Sequence, residues 1–287
     1  MRKIILFIFL LTIIPFFGAD DPSPKKATLS ASPEIIYQGD PFQVQINGLN
    51  DTSSIKKLTF DGKSARVLMY KNIPTSLIGV DLNKKAGTYE LRAEFWNGNI
   101  VEKSVLVGLR DKIEAPLGIP EKLGGNTSAS ADKLIATLNE DNKSLVGIET
   151  DAEALWSEPF IPPLKQIFVT APYGNSRKTG VYSIPHKGVD YRAPEGTEIV
   201  AINRGVVRIT ETFRNHGQTI VIDHGKGLQS YYLHLSKINV REGDLVERGQ
   251  VIGLSGASGY TLGAHLHFSV RINDISIDPE KFLKLFQ

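Results

Sequence analysis

All six histidines of this 287-residue chain fall between positions 186 and 267, at His186, His216, His224, His234, His265 and His267; the first 185 residues contain none. Histidine binds divalent metals and moves protons near neutral pH, so such clustering points to a site. His186 stands four residues ahead of Asp190 in His186-Lys187-Gly188-Val189-Asp190. Alone, that pair reads equally well as a surface histidine and a turn aspartate. His265-Leu266-His267 runs into the apolar Phe268-Ser269-Val270. Residues two apart on a strand face the same side, so both imidazoles can serve one centre. Tyr231-Tyr232-Leu233-His234-Leu235 adds a further histidine at the end of an apolar strand. The chain has no cysteine, which removes thiolate ligands, disulfides and iron–sulfur chemistry together. Zinc without cysteine takes nitrogen and oxygen ligands, and a catalytic zinc keeps three protein ligands and a fourth position for water. Histidine, aspartate and histidine suffice for that set. Two nearby imidazoles would then remain for proton transfer and oxyanion stabilisation. His216, in Asn215-His216-Gly217, reads as a turn residue. His224, in Asp223-His224-Gly225 at a hairpin end, reads as structural or exposed.

The elements that must hold these residues are short and mostly β. From Gln166 onward, strand-like runs recur at Glu198–Ile202, Val206–Thr212, Thr219–Asp223, Gln229–Leu233, Val251–Leu254 and His267–Ile272, with glycines between almost all of them. Asp278-Pro279 then reads as an N-cap followed by proline at the first helical position of a short helix to Phe286. A separate β unit is expected over residues 27–108. Its alternating runs are Phe42–Ile46, Arg66–Tyr70, Leu77–Leu82, Tyr89–Phe95 and Ile100–Val107, punctuated by Gly39-Asp40, Asp61-Gly62, Ala86-Gly87 and Asn97-Gly98. About seven short strands there suggest a small Ig-like sandwich carrying no chemistry of its own, a spacer or docking module. Residues 109–165 read as a linker broken by Pro116, Pro120 and Gly124-Gly125. It is expected to hold one short helix over Ala131–Asn139 with Ser130 as N-cap, and a further short helical turn over Glu149–Trp156.

Composition sets the outer limits. A hydrophobic share of 41% and a charged share of 22% are those of a soluble globular chain. At about 150 residues per domain the length suits two domains. Arg2 and Lys3 precede a fourteen-residue, largely apolar run from Ile4 to Phe17, followed by Gly18 and Ala19. That is the pattern of an export signal over residues 1–19, too short for a permanent span. Without it, 33 basic residues become 31 against 31 acidic, and the formal charge of +2 falls to zero. No basic bias remains that would call for nucleic acid or a membrane as partner.

Several motifs occur together in order: Ala171-Pro172-Tyr173-Gly174 with Arg177, HKGVDYRAPEGTEIVA from His186 to Ala201, YLHLS from Tyr232 to Ser236, EGDLVERGQVIGLSG from Glu242 to Gly256, and GYTLGAHLHF from Gly259 to Phe268. This stretch, about Phe168 to Ile272, resembles the lysostaphin-type, LytM-like zinc metalloendopeptidases that cut bacterial peptidoglycan cross-bridges. The resemblance implies that His186, Asp190 and His267 bind one zinc ion per chain. It implies that His265 and His234 are the catalytic pair, with His265 the general base and His234 stabilising the oxyanion or protonating the leaving amine. Ala264 stands where many members have proline, and Ser269 where an acidic residue is common. Arg177 would hold either a carboxylate of the peptide stem or a structural acid, and Tyr232 either packs or bonds near the site.

The expected protein is therefore all-β and exported to the periplasm or cell envelope. An Ig-like sandwich and a linker precede a glycine-rich β-sheet or barrel-sandwich metallopeptidase domain over residues 166–287. The expected substrate is peptidoglycan stem peptides and cross-bridges, with a D-alanyl–diaminopimelate bond the natural guess. Two other readings compete. One is a non-catalytic regulator or activator of another wall hydrolase, with the amino-terminal part docking a cell-envelope protein partner. The other is a biotinyl- or lipoyl-like carrier, suggested by the Glu242–Gly253 hairpin but lacking the lysine-tipped turn a carrier needs.

Overall fold

The computed structural model describes residues 27–119 and 124–287. The export signal read from residues 1–19 lies outside the described residues. The first strands are β1 (Thr28–Ser32), β2 (Ile36–Tyr37), β3 (Pro41–Asn47), β4 (Ile55–Phe60), β5 (Lys63–Ala65), β6 (Val67–Tyr70), β7 (Ile73–Gly79), β8 (Gly87–Phe95) and β9 (Ile100–Gly108). They form a four-stranded sheet in the order β1-β3-β7-β6 and a five-stranded sheet in the order β2-β9-β8-β4-β5. Alternation decides which side chains meet. Phe42, Val44 and Ile46 of β3, Leu58 and Phe60 of β4, and Leu91, Ala93 and Phe95 of β8 enter one core shared by both sheets. Asp61 and Gly62 both take positive φ (51° and 71°), the two-residue geometry that closes the β4–β5 hairpin without splaying its strands. The run from Leu77 to Leu82 is displaced from its expected place: β7 begins at Ile73 and ends at Gly79, paired along its length with β3 and β6.

The connecting segment is more ordered than its prolines suggest. It contains β10 (Glu114–Pro116) and α1 (Ser128–Ser144). The expected nine-residue helix is a 17-residue one, capped by Thr127, whose side chain accepts from the Ser130 amide. Helix propensity fades over Asn139–Ser144, and tertiary contact carries α1 onward. Asp141 is buried there and accepts from both the backbone amide (2.7 Å) and the side-chain amide (3.0 Å) of Asn215. Glu149–Trp156 is not helical. This stretch is irregular, with the Asp151 amide donating to Asp223 (2.7 Å) and the Leu155 amide donating to the His224 carbonyl (2.9 Å). These contacts replace a helical turn with hydrogen bonds to the sheet.

The remaining elements are β11 (Val169–Ala171), β12 (Ser176–Thr179), β13 (Tyr182–Pro185), β14 (Val189–Arg192), β15 (Glu198–Val200), β16 (Gly205–Phe213), β17 (Gly217–Asp223), β18 (Leu228–Ile238), β19 (Leu245–Val246), β20 (Val251–Ser255), β21 (His265–Ile272), β22 (Ile275–Ile277) and α2 (Pro279–Lys284). A ten-stranded sheet runs β11-β14-β21-β18-β17-β16-β19, with β15, β20 and β22 attached. A small three-stranded sheet, β10-β12-β13, brings the connector alongside. Asp278 caps α2, with Pro279 in its first turn.

The two β regions are fastened together. Leu68, Tyr70 and Leu77, from β6 and β7, join the core beneath the large sheet rather than that of the sandwich. There Tyr70 meets Trp156 (ring centroids 5.4 Å apart), and Phe160 lies 4.9 Å from Phe286. Beside this aromatic cluster Arg110 pairs with Asp40 and Asp278, and Lys281 reaches Asp40 at 2.8 Å. Asp40 is buried, so these cations balance a charge that could not otherwise leave water. Among the described residues no helix is long and apolar enough to cross a membrane.

Candidate metal centre

Strand register brings the first residues together. In the antiparallel pair β14–β21, Asp190 stands opposite His267 and Arg192 opposite His265. Opposed residues share a face, and so do residues two apart on one strand, so Asp190, His267 and His265 all face one side. His186 comes from the short loop between β13 and β14. Its backbone is held there by bonds with Asn175 and Gly174 (2.7 and 2.8 Å). The loop must pass close to β21: a Cβ on Gly188 would run into His267 and the Ser269 hydroxyl. This is why the residue between His186 and Asp190 that faces β21 has no side chain.

His234 arrives by a different device. On β18, Tyr232 and Leu235 both face the main core, which simple alternation of two-residue steps does not allow. The register with β17 shifts between these positions, a β-bulge, and His234 takes φ of +64°. Among the described residues it is the one non-glycine residue with positive φ inside a strand. The bulge turns the imidazole out of the core and onto the face of β21, with ring centroids 4.8 Å from His265 and 6.1 Å from His267. The His216 carbonyl accepts from the His234 amide (3.0 Å) and pins the bent backbone.

Each ring then has one nitrogen committed elsewhere. A carbonyl only accepts, so the imidazole nitrogen facing it carries the proton. Nδ1 of His186 donates to the Pro172 carbonyl (3.0 Å), that of His234 to the Ser258 carbonyl (2.9 Å), and that of His265 to the Gly263 carbonyl (2.9 Å). His267 is held the other way round. The Ser269 hydroxyl donates to the Lys187 carbonyl (2.7 Å) and accepts from His267 Nε2 (3.2 Å). Serine thus does here what an acid would do, without adding charge. The uncommitted atoms converge. His186 Nε2 lies 3.0 Å from Asp190 Oδ1 and 3.1 Å from His267 Nδ1, and those two are 2.8 Å apart. His265 Nε2 stands back, 3.8 Å from the same Asp190 oxygen.

Electrostatics suit a cation at this point. Burial acts to raise the Asp190 pKa, but the imidazoles of His186 and His267 outweigh it and hold the carboxyl well below its usual range. Burial pushes His267 down to about 4. It pushes His234 down to about 3, with the neighbouring imidazoles of His265 and His267 adding to the shift. An anionic oxygen and electron-pair-bearing nitrogens within 4.8 Å of one another form a cradle for a metal ion.

Residues 184–279 match the family model described as Peptidase family M23. The chain carries a Peptidase M23 domain. Over 97 residues it is 41% identical to the peptidoglycan DD-endopeptidase ShyA of Vibrio cholerae, an alignment covering 34% of this chain and 23% of that protein. Over 112 residues it is 38% identical to lysostaphin of Staphylococcus simulans, covering 37% of this chain and 22% of that protein. The chain thus spans about a quarter of the length of the curated relatives it matches. A solved structure of a putative M23 peptidase from Pseudomonas aeruginosa shares the fold, with a TM-score of 0.56 and 24% identity over 89% of this chain and 97% of that one.

Within and around the M23 domain, the structure gathers all five residues singled out by the sequence, His186, Asp190, His234, His265 and His267. His224 is not among them: fully buried, it bonds the Arg204 carbonyl and the Ser230 hydroxyl, both at 2.8 Å. Tyr232 lies on the core side of its strand, where its hydroxyl accepts from the Ile202 amide (3.1 Å). Arg177 bonds an acid of the chain itself, Asp190 of the cradle. Sequence reasoning missed the groups that orient the rings. Three of these, at Pro172, Ser258 and Gly263, are backbone carbonyls that any residue could supply and that leave no mark in the sequence.

Proposed function

We propose that this chain is a zinc-dependent endopeptidase that hydrolyses peptide cross-links of bacterial cell-wall peptidoglycan, acting outside the cytoplasm in the periplasm or cell envelope. The convergence of His186 Nε2, Asp190 Oδ1 and His267 Nδ1, with His234 and His265 beside them, carries this reading. Zinc suits the donor set. Ligand atoms about 2.0 to 2.1 Å from a tetrahedral ion stand about 3.3 Å apart, close to the 2.8–3.1 Å between these three. Two imidazoles and one carboxylate also favour zinc over the oxygen-loving magnesium and calcium. The ring nitrogens and Asp190 would hold one ion per chain.

Zinc bound there supplies a Lewis acid that makes water nucleophilic near neutral pH. The chain's own residues do the rest. His265, the less buried of the catalytic pair, turns Nε2 toward the centre and takes the proton of the attacking water. His234, with Nδ1–H fixed on the Ser258 carbonyl, serves the oxyanion or the leaving amine once Nε2 receives the proton that the adjacent His265 takes from the attacking water. The identity to proteins named peptidoglycan DD-endopeptidases and lysostaphin supports a cell-wall peptide as substrate, and with it an extracytoplasmic location. The complete set of five speaks for an enzyme over a ligand-depleted regulator.

The test is digestion of purified sacculi by the full chain with and without a chelator, read as released muropeptides. Chelator-sensitive release is expected. A zinc-loaded protein that leaves the muropeptide profile unchanged would overturn the proposal.

A further inference from the structure

We propose that Arg177 is a positioning residue for the metal cradle: its guanidinium occupies one oxygen of Asp190, so that the carboxylate presents a single oxygen to the ion. This rests on the zinc reading above.

The two carboxylate oxygens of Asp190 are divided between different tasks. Oδ1 faces His186 Nε2 and His267 Nδ1, while Oδ2 bonds Arg177 Nη2. A carboxylate free at both oxygens can bind a metal through one or both. The second mode adds a ligand to a site that must keep a position open for water. The guanidinium removes that choice. The same Nη2 lies 3.3 Å from His186 Nε2, so one guanidinium nitrogen reaches two residues of the cradle. Asp190 is buried, so its charge needs a fixed partner before any ion arrives, and a planar guanidinium supplies a fixed direction as well as a charge.

Arg177 is itself held firmly. Its strand, β12, lies between β13 and β10, with Arg177 opposite Ile184 on one side and Ala115 on the other. The Ser176 amide donates to the Ile113 carbonyl (2.9 Å), and the Leu117 amide donates to the Lys178 carbonyl (2.8 Å). The connector between the two β regions therefore clamps the strand that aims Arg177 at Asp190. Arg177 lies outside the stretch matched by the M23 family model, so the cradle is completed from beyond it.

The experiment compares the full chain with its Arg177→Met and Arg177→Lys variants. Zinc affinity is read by competition with a chromophoric chelator, and coordination by the visible absorption of the cobalt-loaded protein, which weakens as a four-coordinate site becomes five-coordinate. R177M should bind zinc about 10- to 100-fold more weakly and show the weaker absorption, as the freed oxygen joins the metal. R177K, which keeps the charge but loses the fork, should fall between. Far-UV circular dichroism checks folding, and if R177M fails to fold, R177K carries the comparison alone. Wild-type zinc affinity and an unchanged cobalt spectrum in the folded variants would overturn the positioning role. A wild-type chain that takes up no metal is a different result and overturns the zinc reading instead.

Discussion

The sandwich of β1–β9, antiparallel but for the β2–β9 pair, and the antiparallel large sheet around β21 are both glycine-turned, yet they bury different chemistry. Inside the sandwich the buried side chains are almost all apolar, and the buried polar ones are Gln38, Asp40, Thr59, Thr75 and Ser76. Its one buried carboxylate, Asp40, faces Arg110 and Lys281 at the junction with α2. The large sheet buries His186, Asp190, Asp223, His224 and His234. Each needs a partner to offset the loss of water, and the partners come from loops, the connector and the strands themselves. Backbone conformation differs in the same way. Positive φ at Asp61, Lys71 and Asn72 serves tight turns, whereas at His234 it re-aims a side chain in mid-strand. Left-handed backbone at a non-glycine residue costs on the order of 1–3 kcal/mol. In the sandwich it closes hairpins; in the sheet it places an imidazole.

The sharpest test of this contrast is Asp190→Ala set against Thr75→Val. Removing Asp190 should abolish stoichiometric zinc and reduce sacculus digestion to background. Thr75, equally buried but bonded only to the nearby Ile73 carbonyl, should be replaceable with both properties intact. Metal analysis of the purified proteins decides it, and loss of zinc in the Thr75 variant would break the comparison.

A smaller effect is expected at His234. His234→Ala should keep its zinc while turnover falls by about 10²- to 10⁴-fold. Because the site holds left-handed backbone, His234→Gly should be about 1 kcal/mol more stable than His234→Ala, read by denaturant unfolding of the two variants side by side. Equal stability would mean that the bulge relaxes without its histidine.

At the junction, Arg110→Met leaves Asp40 and Asp278 without their shared cation and should destabilise the protein by about 3 kcal/mol. The zinc content of the folded protein should not change, since Arg110 bonds Gln38, Asp40 and Asp278 and none of the five site residues. Loss of metal would show that the sandwich sets the geometry of the site.

The smallest effect concerns acid. Burial pushes His224 down to about 4, while a histidine in an unfolded chain titrates near pH 6.5. Between those values the unfolded state binds the extra proton. The stability contributed by neutral His224 is therefore complete above about pH 6.5 and is lost as the pH falls toward about 4, at a slope of up to about 1.4 kcal/mol per pH unit. The sandwich has no histidine and so adds no such imidazole effect. His224→Gln should flatten the decline of the unfolding midpoint from pH 7 to 5. An unchanged slope would place the acid sensitivity elsewhere.

Much of this molecule was legible in its sequence. Period-two runs such as Phe42–Ile46 and Tyr89–Phe95 became strands because alternation is how a half-buried strand is written. Asn97-Gly98 joined β8 to β9 because its backbone tolerates positive φ. The connector was harder to read. The sequence showed α1 only over Ala131–Asn139, because its second half depends on the distant Asn215, and it suggested a helical turn at Glu149–Trp156, where the chain instead bonds to the sheet.

By itself, the sequence determined the chemistry available: no thiols, six histidines in one region, an aspartate four residues after the first, and two imidazoles on one strand face. Residue type and local spacing are properties of the chain alone. The tertiary structure decided what those residues can do together. It set Asp190 opposite His267 through register, turned His234 out of the core through a bulge, and fixed which nitrogen of each ring is free through hydrogen bonds that the rings donate to Pro172, Ser258, Gly263 and Ser269. It also brought Arg177 to Asp190 from a separate small sheet, β10-β12-β13. These are relations between segments distant along the chain, most of them made by backbone groups that every residue carries, and only folding gives them a direction.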